Sequence, residues 1–367
     1  MKKCIFHYPS PVKSNPSSGS EVRPSRMLNA FKNLGYDVYA VTGYSQERAK
    51  KIKELFARIA KGEEYDFVYS ENTTMPTALS DKDHVPRHPI MDDLFLRRCR
   101  KEGIPVGLFY RDAYWQFPLY KEAVSWYIPL VTIPLYKHEL RSYRNNTDVL
   151  FVPSNEFARA IGYKGNYQEL PPGGDEVNAE DKYERNDDCI NIFYVGGVNG
   201  LYDITIPTKV ISELPNVRLT ICCRKTEWDA NSELRKLIEN KNNIRVIHKI
   251  KSELESYYKE ADLTMALFER NEYRDLAMPV KLFEYIGYGK PVIVTRGTAA
   301  GRYILENNAG WAIDFEAGEF KELLCKLVEN REEIIKKTDN VRAIMDKNTW
   351  TARAASVVEN LKKFTDK

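Results

Sequence analysis

The sequence predicts an α/β protein built from two doubly wound domains, each a parallel sheet with helices on both faces. Three observations carry this expectation. Short apolar runs alternate with amphipathic helical stretches almost throughout, and that alternation implies parallel strands joined by right-handed helical crossovers. The rhythm breaks once, at YKGNYQELPPGGDEVNAEDKYERNDD (163–188), which is rich in Pro, Gly and charge, and then restarts. A chain of 367 residues is also long for a single core and comfortable for two. The expected domains are residues 1–165 and 166–350, with a terminal helix over 351–367 packing back on the first.

In chain order, KKCIFHY reads as a strand and SEVRPSRMLNAFKNLG as a helix stopped by Gly35. YDVYAVTG is the next strand, SQERAKKIKELFARIAKG the next helix, and YDFVYSEN another strand. PIMDDLFLRRCRKEG leads into IPVGLFY, and LRSYRNN into TDVLFVPS. Past the break, CINIFYVGG, VRLTICC, IRVIHK, DLTMALF, KPVIVTR and GWAID are strand candidates, rich in the β-branched and aromatic residues that suit a pleated surface. Helical stretches lie between them. Ligands of such sheets bind beyond the carboxyl ends of the strands, so a cleft between the two domains is the expected site.

Composition excludes several classes. With 43% hydrophobic and 29% charged residues the chain is that of a soluble globular protein, and no run of about 18 apolar residues is present to span a membrane. Residues 1–165 hold 25 Lys and Arg against 18 Asp and Glu, and the remainder 30 against 34. That excess suits phosphorylated substrates or an anionic surface; no nucleic-acid partner is expected from it. The six cysteines form no CxxC pair, which argues against a zinc site or a disulfide framework and for a cytoplasmic location. The start MKKCIF resembles a signal peptide, but His7 and Pro9 end its apolar run too soon. His84 and His88 have an i, i+4 spacing, yet Pro86 and Pro89 oppose a helix there. Asp81-Lys-Asp83 has the spacing of a metal-binding acid pair but falls in a polar loop. No metal and no cofactor are expected.

MPVKLFEYIGYGKPVIV (278–294) is the most informative stretch. Pro279 suits a first helical position, and Leu282, Phe283 and Ile286 form a core stripe. Gly287 and Gly289 stop the helix before an apolar strand. Glu284 falls off the stripe, on the side of Lys281 and Tyr288. It reads either as one half of an exposed i, i+3 pair with Lys281 or as a carboxylate able to accept from both hydroxyls of a ribose.

The segment PVKLFEYIGYGKPVIV resembles the donor-site signature of GT-B glycosyltransferases, in particular the retaining family that includes sucrose and glycogen synthases and bacterial polysaccharide enzymes. GSEVRPSRMLNAFKNLGYDVYAVTG, TDVLFVPSNEF, INIFYVGG and NTWTARAASVVENLKKF resemble further parts of that family in the right order, over nearly the whole chain. The resemblance implies two Rossmann-like domains facing across a cleft. It implies transfer of a hexosyl or deoxyhexosyl group from a nucleotide-diphosphate sugar to a glycan or lipid-linked glycan, with retention and without metal, in bacterial polysaccharide or glycoconjugate synthesis. Glu284 corresponds to the ribose-binding glutamate. Two departures stand out. The family's other glutamate would fall at position 276, which is Leu276, so the backbone at Ala277 and Met278 would meet the sugar. The Arg and Lys that hold the donor diphosphate are absent from VGGVNGLYDI. Gly196 and Gly197 could bring backbone amides to a phosphate, and Arg224 and Lys281 are the favoured replacement cations.

From the first domain, the resemblance puts Gly19 near the diphosphate and facing the acceptor; Arg23 and Arg111 are further candidate cations, assigned to the acceptor side. Asp112 ends a predicted strand in LFYRDAYW and reads either as an acceptor base or as the cap of the following turn. The segment WQFPLYKEAVSWYIPLVTIPLYKHELRSYR is dense in aromatics and ends in bases. It suits a peripheral contact with the inner leaflet of a membrane, a buried kinked helix or an acceptor groove. A rival reading of the whole chain is a non-catalytic GT-B subunit that activates a partner enzyme.

Overall fold

The structure is a computed structural model and describes residues 2–13, 19–177 and 188–365. It divides into two compact units, Met1–Pro172 with Trp350–Lys367, and Gly173–Thr349. In the first, β1 (Lys3–Tyr8), β2 (Asp37–Thr42), β3 (Val68–Glu71), β4 (Val106–Phe109), β5 (Val149–Val152) and β6 (Tyr167–Glu169) pair in the order β2-β1-β3-β4-β5-β6. Every pairing is parallel. Strands β3, β4 and β5 are buried along their whole length because helices cover both faces.

Strand β6 corrects the expected domain boundary. Composition places residues 166–172 in the second domain, yet Tyr167–Glu169 add a sixth strand to the first sheet through Leu150, Phe151 and Val152. Three residues beside Gly and two prolines are too short to show a period, so only pairing with β5 identifies them. Residues 178–187 of the expected linker lie outside the described residues. The helix Trp350–Lys362 belongs to the first unit, where Leu361 packs against the face of β4 at Gly107 and Trp350 lies near Arg23.

The second unit repeats the architecture. β7 (Ile190–Val195), β8 (Val217–Cys222), β9 (Ile244–Ile247), β10 (Leu263–Ala266), β11 (Val292–Thr295) and β12 (Gly310–Ile313) pair in the order β12-β11-β10-β7-β8-β9, again all parallel. The chain winds outward from β7 to β9, then returns to the other side of β7 with β10. This is the strand order whose reversal opens a ligand crevice at the carboxyl ends, here between β7 and β10. Gly174 lies where an added Cβ would overlap the Phe283 carbonyl oxygen, so only glycine lets this segment approach the helix Val280–Gly287. That helix begins one position later than expected, with Pro279 as its extended N-cap.

Candidate active site

The crevice of the second unit gathers residues from four separate stretches. β7 ends at Val195 and delivers Gly196 and Gly197; β10 ends at Ala266 and delivers Phe268. The short 3-10 turn Gly200–Tyr202 supplies Tyr202, and the first turn of helix Val280–Gly287 supplies Lys281. The Lys281 ammonium sits 4.8 Å from the ring centre of Tyr202, 5.1 Å from Tyr194 and 5.6 Å from Phe268. Aromatic faces attract a cation at these distances. A Cβ at residue 196 would overlap that ammonium, so glycine is required for this placement.

Sequence reasoning overlooked Arg274. It opens the 3-10 turn Arg274–Leu276 and lays its guanidinium 5.0 Å from the Phe268 ring centre and 5.6 Å from that of Tyr202. Nη1 donates to the Glu269 carbonyl at 3.0 Å, while Nη2 is buried and has no hydrogen-bond partner among the described residues. Two cations thus share one pair of rings. Burial above all, with Arg274 beside it, pulls the Lys281 pKa down to about 8 against the opposing pull of Glu284 and Glu227. A half-buried guanidinium with one buried, unused donor, beside a second, destabilised cation, is suited to receive an anion. The signal that could have found Arg274 is its place in the irregular loop after a buried strand, in an α/β sheet whose ligands bind there.

The structure separates Glu284 from Lys281. The Glu284 carboxylate accepts from Lys251 Nζ at 2.8 Å, and the same ammonium pairs with Asp175 at 2.9 Å. Lys281 turns to the rings instead, so the i, i+3 pair, one of the two readings of Glu284, does not form. Ala277 and Met278 link this pair of features: the Ala277 amide donates to the Arg274 carbonyl at 2.9 Å, and Met278 is buried. Leu276 closes the same turn. Arg224, by contrast, is exposed beyond β8 and pairs with Glu227 at 3.4 Å; it does not share the rings with Lys281. Glu227 itself reaches the edge of Gly197.

The candidate residues of the first unit fall elsewhere than an open acceptor surface. Arg23 is only 4% exposed, stacked 3.4 Å above the Phe109 ring and 3.6 Å from Glu71. Arg111 donates to the other oxygen of Glu71 at 2.9 Å, and the Tyr69 hydroxyl completes that carboxylate's shell. Both arginines therefore neutralise one fully buried glutamate, and burial corrects the expectation that Arg23 meets an acceptor. Asp112 accepts the Tyr114 amide at 2.8 Å, which is the turn-capping alternative. Gly19 opens the helix Gly19–Asn33, and residues 14–18 before it lie outside the described residues. Of the polar-loop pair, Asp81 holds Ser45 and Asp83 is chelated by Arg87. No metal-ligating cluster is found among the described residues.

A second buried cluster was equally invisible in the sequence. His7 bridges Ser70 Oγ at 2.8 Å and Asp92 at 2.9 Å, and Arg48 grips both oxygens of Asp92. All four side chains are buried. Burial would raise the Asp92 pKa, but His7 and Arg48 overrule it and hold the carboxyl at about 2.

Residues 194–330 match the model of the family "Glycosyl transferases group 1". The matched stretch lies within the second unit and includes every residue of the crevice described above. No curated protein matches the sequence. Among solved structures the chain is similar to HepE of Anabaena in complex with UDP and glucose, at 13% identity and a TM-score of 0.60, over 99% of this chain and 100% of that one. It is similar to sucrose-phosphate synthase from Thermosynechococcus elongatus, at 12% identity and 0.63, over 100% and 99%. WaaG, a glycosyltransferase involved in lipopolysaccharide biosynthesis, gives 15% identity and 0.57, over 98% and 99%. Likenesses of this extent show the GT-B fold over the whole chain.

Proposed function

We propose that this chain, which has the GT-B fold and matches the group 1 glycosyl transferase model within its second unit, transfers a sugar from a nucleotide-diphosphate sugar to an acceptor hydroxyl. The observation that supports the reading most is the pair Lys281 and Arg274 on the shared rings of Tyr202 and Phe268. In the reaction the bond from the anomeric carbon to the diphosphate oxygen breaks, and its electron pair leaves with the diphosphate. The acceptor oxygen takes the vacated bond and releases its proton. Negative charge grows on the leaving group, and fixed cations in a water-poor crevice stabilise it. Lys281 and Arg274 do here what the missing basic pair does in the family.

Glu284, one helical turn beyond Lys281, is the group for the ribose diol, with Lys251 holding its carboxylate in place. The neighbour solved with UDP makes a uridine nucleotide the first donor to try. Retention and independence of metal rest on the family resemblance, as does a glycan or lipid-linked glycan acceptor. Asp112 is the acceptor-side residue to test.

Leu276 supports one second reading, a GT-B subunit that binds a donor or a partner without transferring sugar. The test begins with thermal shifts against UDP, GDP, ADP, CMP and dTDP, on the wild type and on Glu284→Ala. A ligand at 100 times its Kd stabilises by about 2.7 kcal/mol. One nucleotide should shift the wild type and lose most of its effect on the variant. No shift with any nucleotide would overturn the donor site. A shift without hydrolysis or transfer of the matching nucleotide sugar would favour the non-catalytic subunit.

A further inference from the structure

The apolar side chains that the first unit leaves in water are concentrated on one face. Among the described residues, its exposed large hydrophobic side chains are Tyr44, Val85, Ile90, Leu94, Trp126, Tyr127, Leu130 and Val131. All but Tyr44 lie on two neighbouring helices, Met91–Lys101 and Ile128–Asn146, or on the turns that lead into them. His138 and Ser142 of the second helix both bond to Asp93 of the first, at 3.0 and 2.6 Å, so the two outer faces are continuous. Trp126 is 80% exposed and Leu130 67%, which is far from the behaviour of an unpartnered core residue.

Charge is sorted along the same face. On helix Ile128–Asn146 the exposed positions run Leu130, Val131 and Pro134, then Lys137, Arg141 and Arg144. These positions recur every three or four residues and so share one side. The helix's one acidic residue, Glu139, is buried under it. Met91–Lys101 adds Arg97 and Lys101, both exposed, toward its own end. Seven residues of helix separate Leu130 from Lys137, about 10 Å at the helical rise. An apolar tip with Trp and Tyr, and a basic belt about 10 Å above it, matches the depth to which a peripheral protein enters a bilayer boundary. Anionic headgroups would meet the belt.

The geometry points to this face as a docking surface for an anionic lipid bilayer, with Trp126, Tyr127, Leu130 and Val131 entering the headgroup layer and Lys137, Arg141 and Arg144 holding the phosphates. It does not depend on the donor crevice, which lies in the other unit. A water-soluble acceptor would give no reason for such a face; an acceptor anchored in lipid would.

The experiment is co-sedimentation of the full chain with vesicles of phosphatidylcholine alone and with 30% phosphatidylglycerol, at roughly 0.1 and 0.5 M salt. The wild type should bind the anionic vesicles, lose binding at high salt, and show a blue shift of the Trp126 emission that Trp126→Phe removes. Leu130→Glu with Val131→Glu should abolish binding. Lys137→Glu, Arg141→Glu and Arg144→Glu together should weaken it by roughly 100-fold, at about fivefold per base. All these positions are exposed, so UDP-induced stabilisation and the unfolding midpoint should not change. Equal affinity for both vesicle types, or binding untouched by the paired glutamates, would overturn the proposal. So would a dimer in light scattering that the paired glutamates disperse while wild type ignores vesicles, since the face would then be an interface between copies.

Discussion

Replacing Lys281 by Met should raise stability and lower donor affinity together. Burial pulls the Lys281 pKa from 10.5 to about 8. At 1.36 kcal/mol per unit, a shift of that size makes the charged form about 3 kcal/mol worse in the folded chain than in the unfolded one. The three aromatic faces around the ammonium offset roughly 1–2 kcal/mol of this. Met keeps the unbranched apolar stem and removes the charge. The variant should therefore be more stable at pH 7 by roughly 1–2 kcal/mol in urea unfolding. The sign with pH follows from proton binding. Between pH 8 and 10.5 the unfolded wild type holds a proton that the folded one has shed, so wild-type stability rises through that window. Above it both states are neutral, and the advantage of Met disappears. Calorimetric titration with UDP should move the other way. One charge-assisted hydrogen bond to phosphate is worth about 1.5–3 kcal/mol, or roughly 10- to 150-fold in Kd. Wild-type affinity should also decline above pH 8, and the variant's should not. A variant that is less stable at pH 7, keeps the wild-type slope between pH 8 and 10.5 and binds UDP as well as before would refute the reasoning.

Other substitutions probe separate parts of the chain. Arg274→Ala removes the buried Nη2 and should weaken UDP by at least about tenfold in the same titration; an unchanged Kd would move the diphosphate elsewhere. Glu284→Ala should weaken UDP by roughly 10- to 100-fold with under about 1 kcal/mol lost in unfolding, because Lys251 retains Asp175 and is itself partly exposed. Equal losses of stability and binding would make Glu284 a structural residue only. Gly174→Ala forces a methyl onto the Phe283 carbonyl and should cost about 2 kcal/mol by urea unfolding; a neutral result would show that this backbone can part. Asp92→Asn strips Arg48 and His7 of a buried carboxylate and should cost about 3–5 kcal/mol at pH 7. Because the folded Asp92 pKa lies at about 2, below the ordinary 3.8, the wild type should shed about 2 kcal/mol as pH falls through this range, and the variant should not.

Much of this protein is written locally. Buried parallel strands need unbroken apolar runs, so eleven of the twelve strands and the division into two units are legible from composition and period alone. The helix 280–287, with its core stripe and its off-stripe glutamate, is legible for the same reason: a period of 3.6 shows which residues leave the core. What a side chain meets across the chain is not periodic. Strand β6 exists because β5 offers it an edge. Lys281 left the glutamate one turn away for rings contributed by β7, by the turn at 200–202 and by the loop after β10, up to 87 residues earlier in sequence. Glu284 took Lys251 instead, and Arg23 sank beneath the sheet's end to neutralise Glu71. Local sequence decided which elements form, because propensity and burial pattern act over a few residues. Only the tertiary structure decided which charges meet, because topology sets the distances over which electrostatics acts.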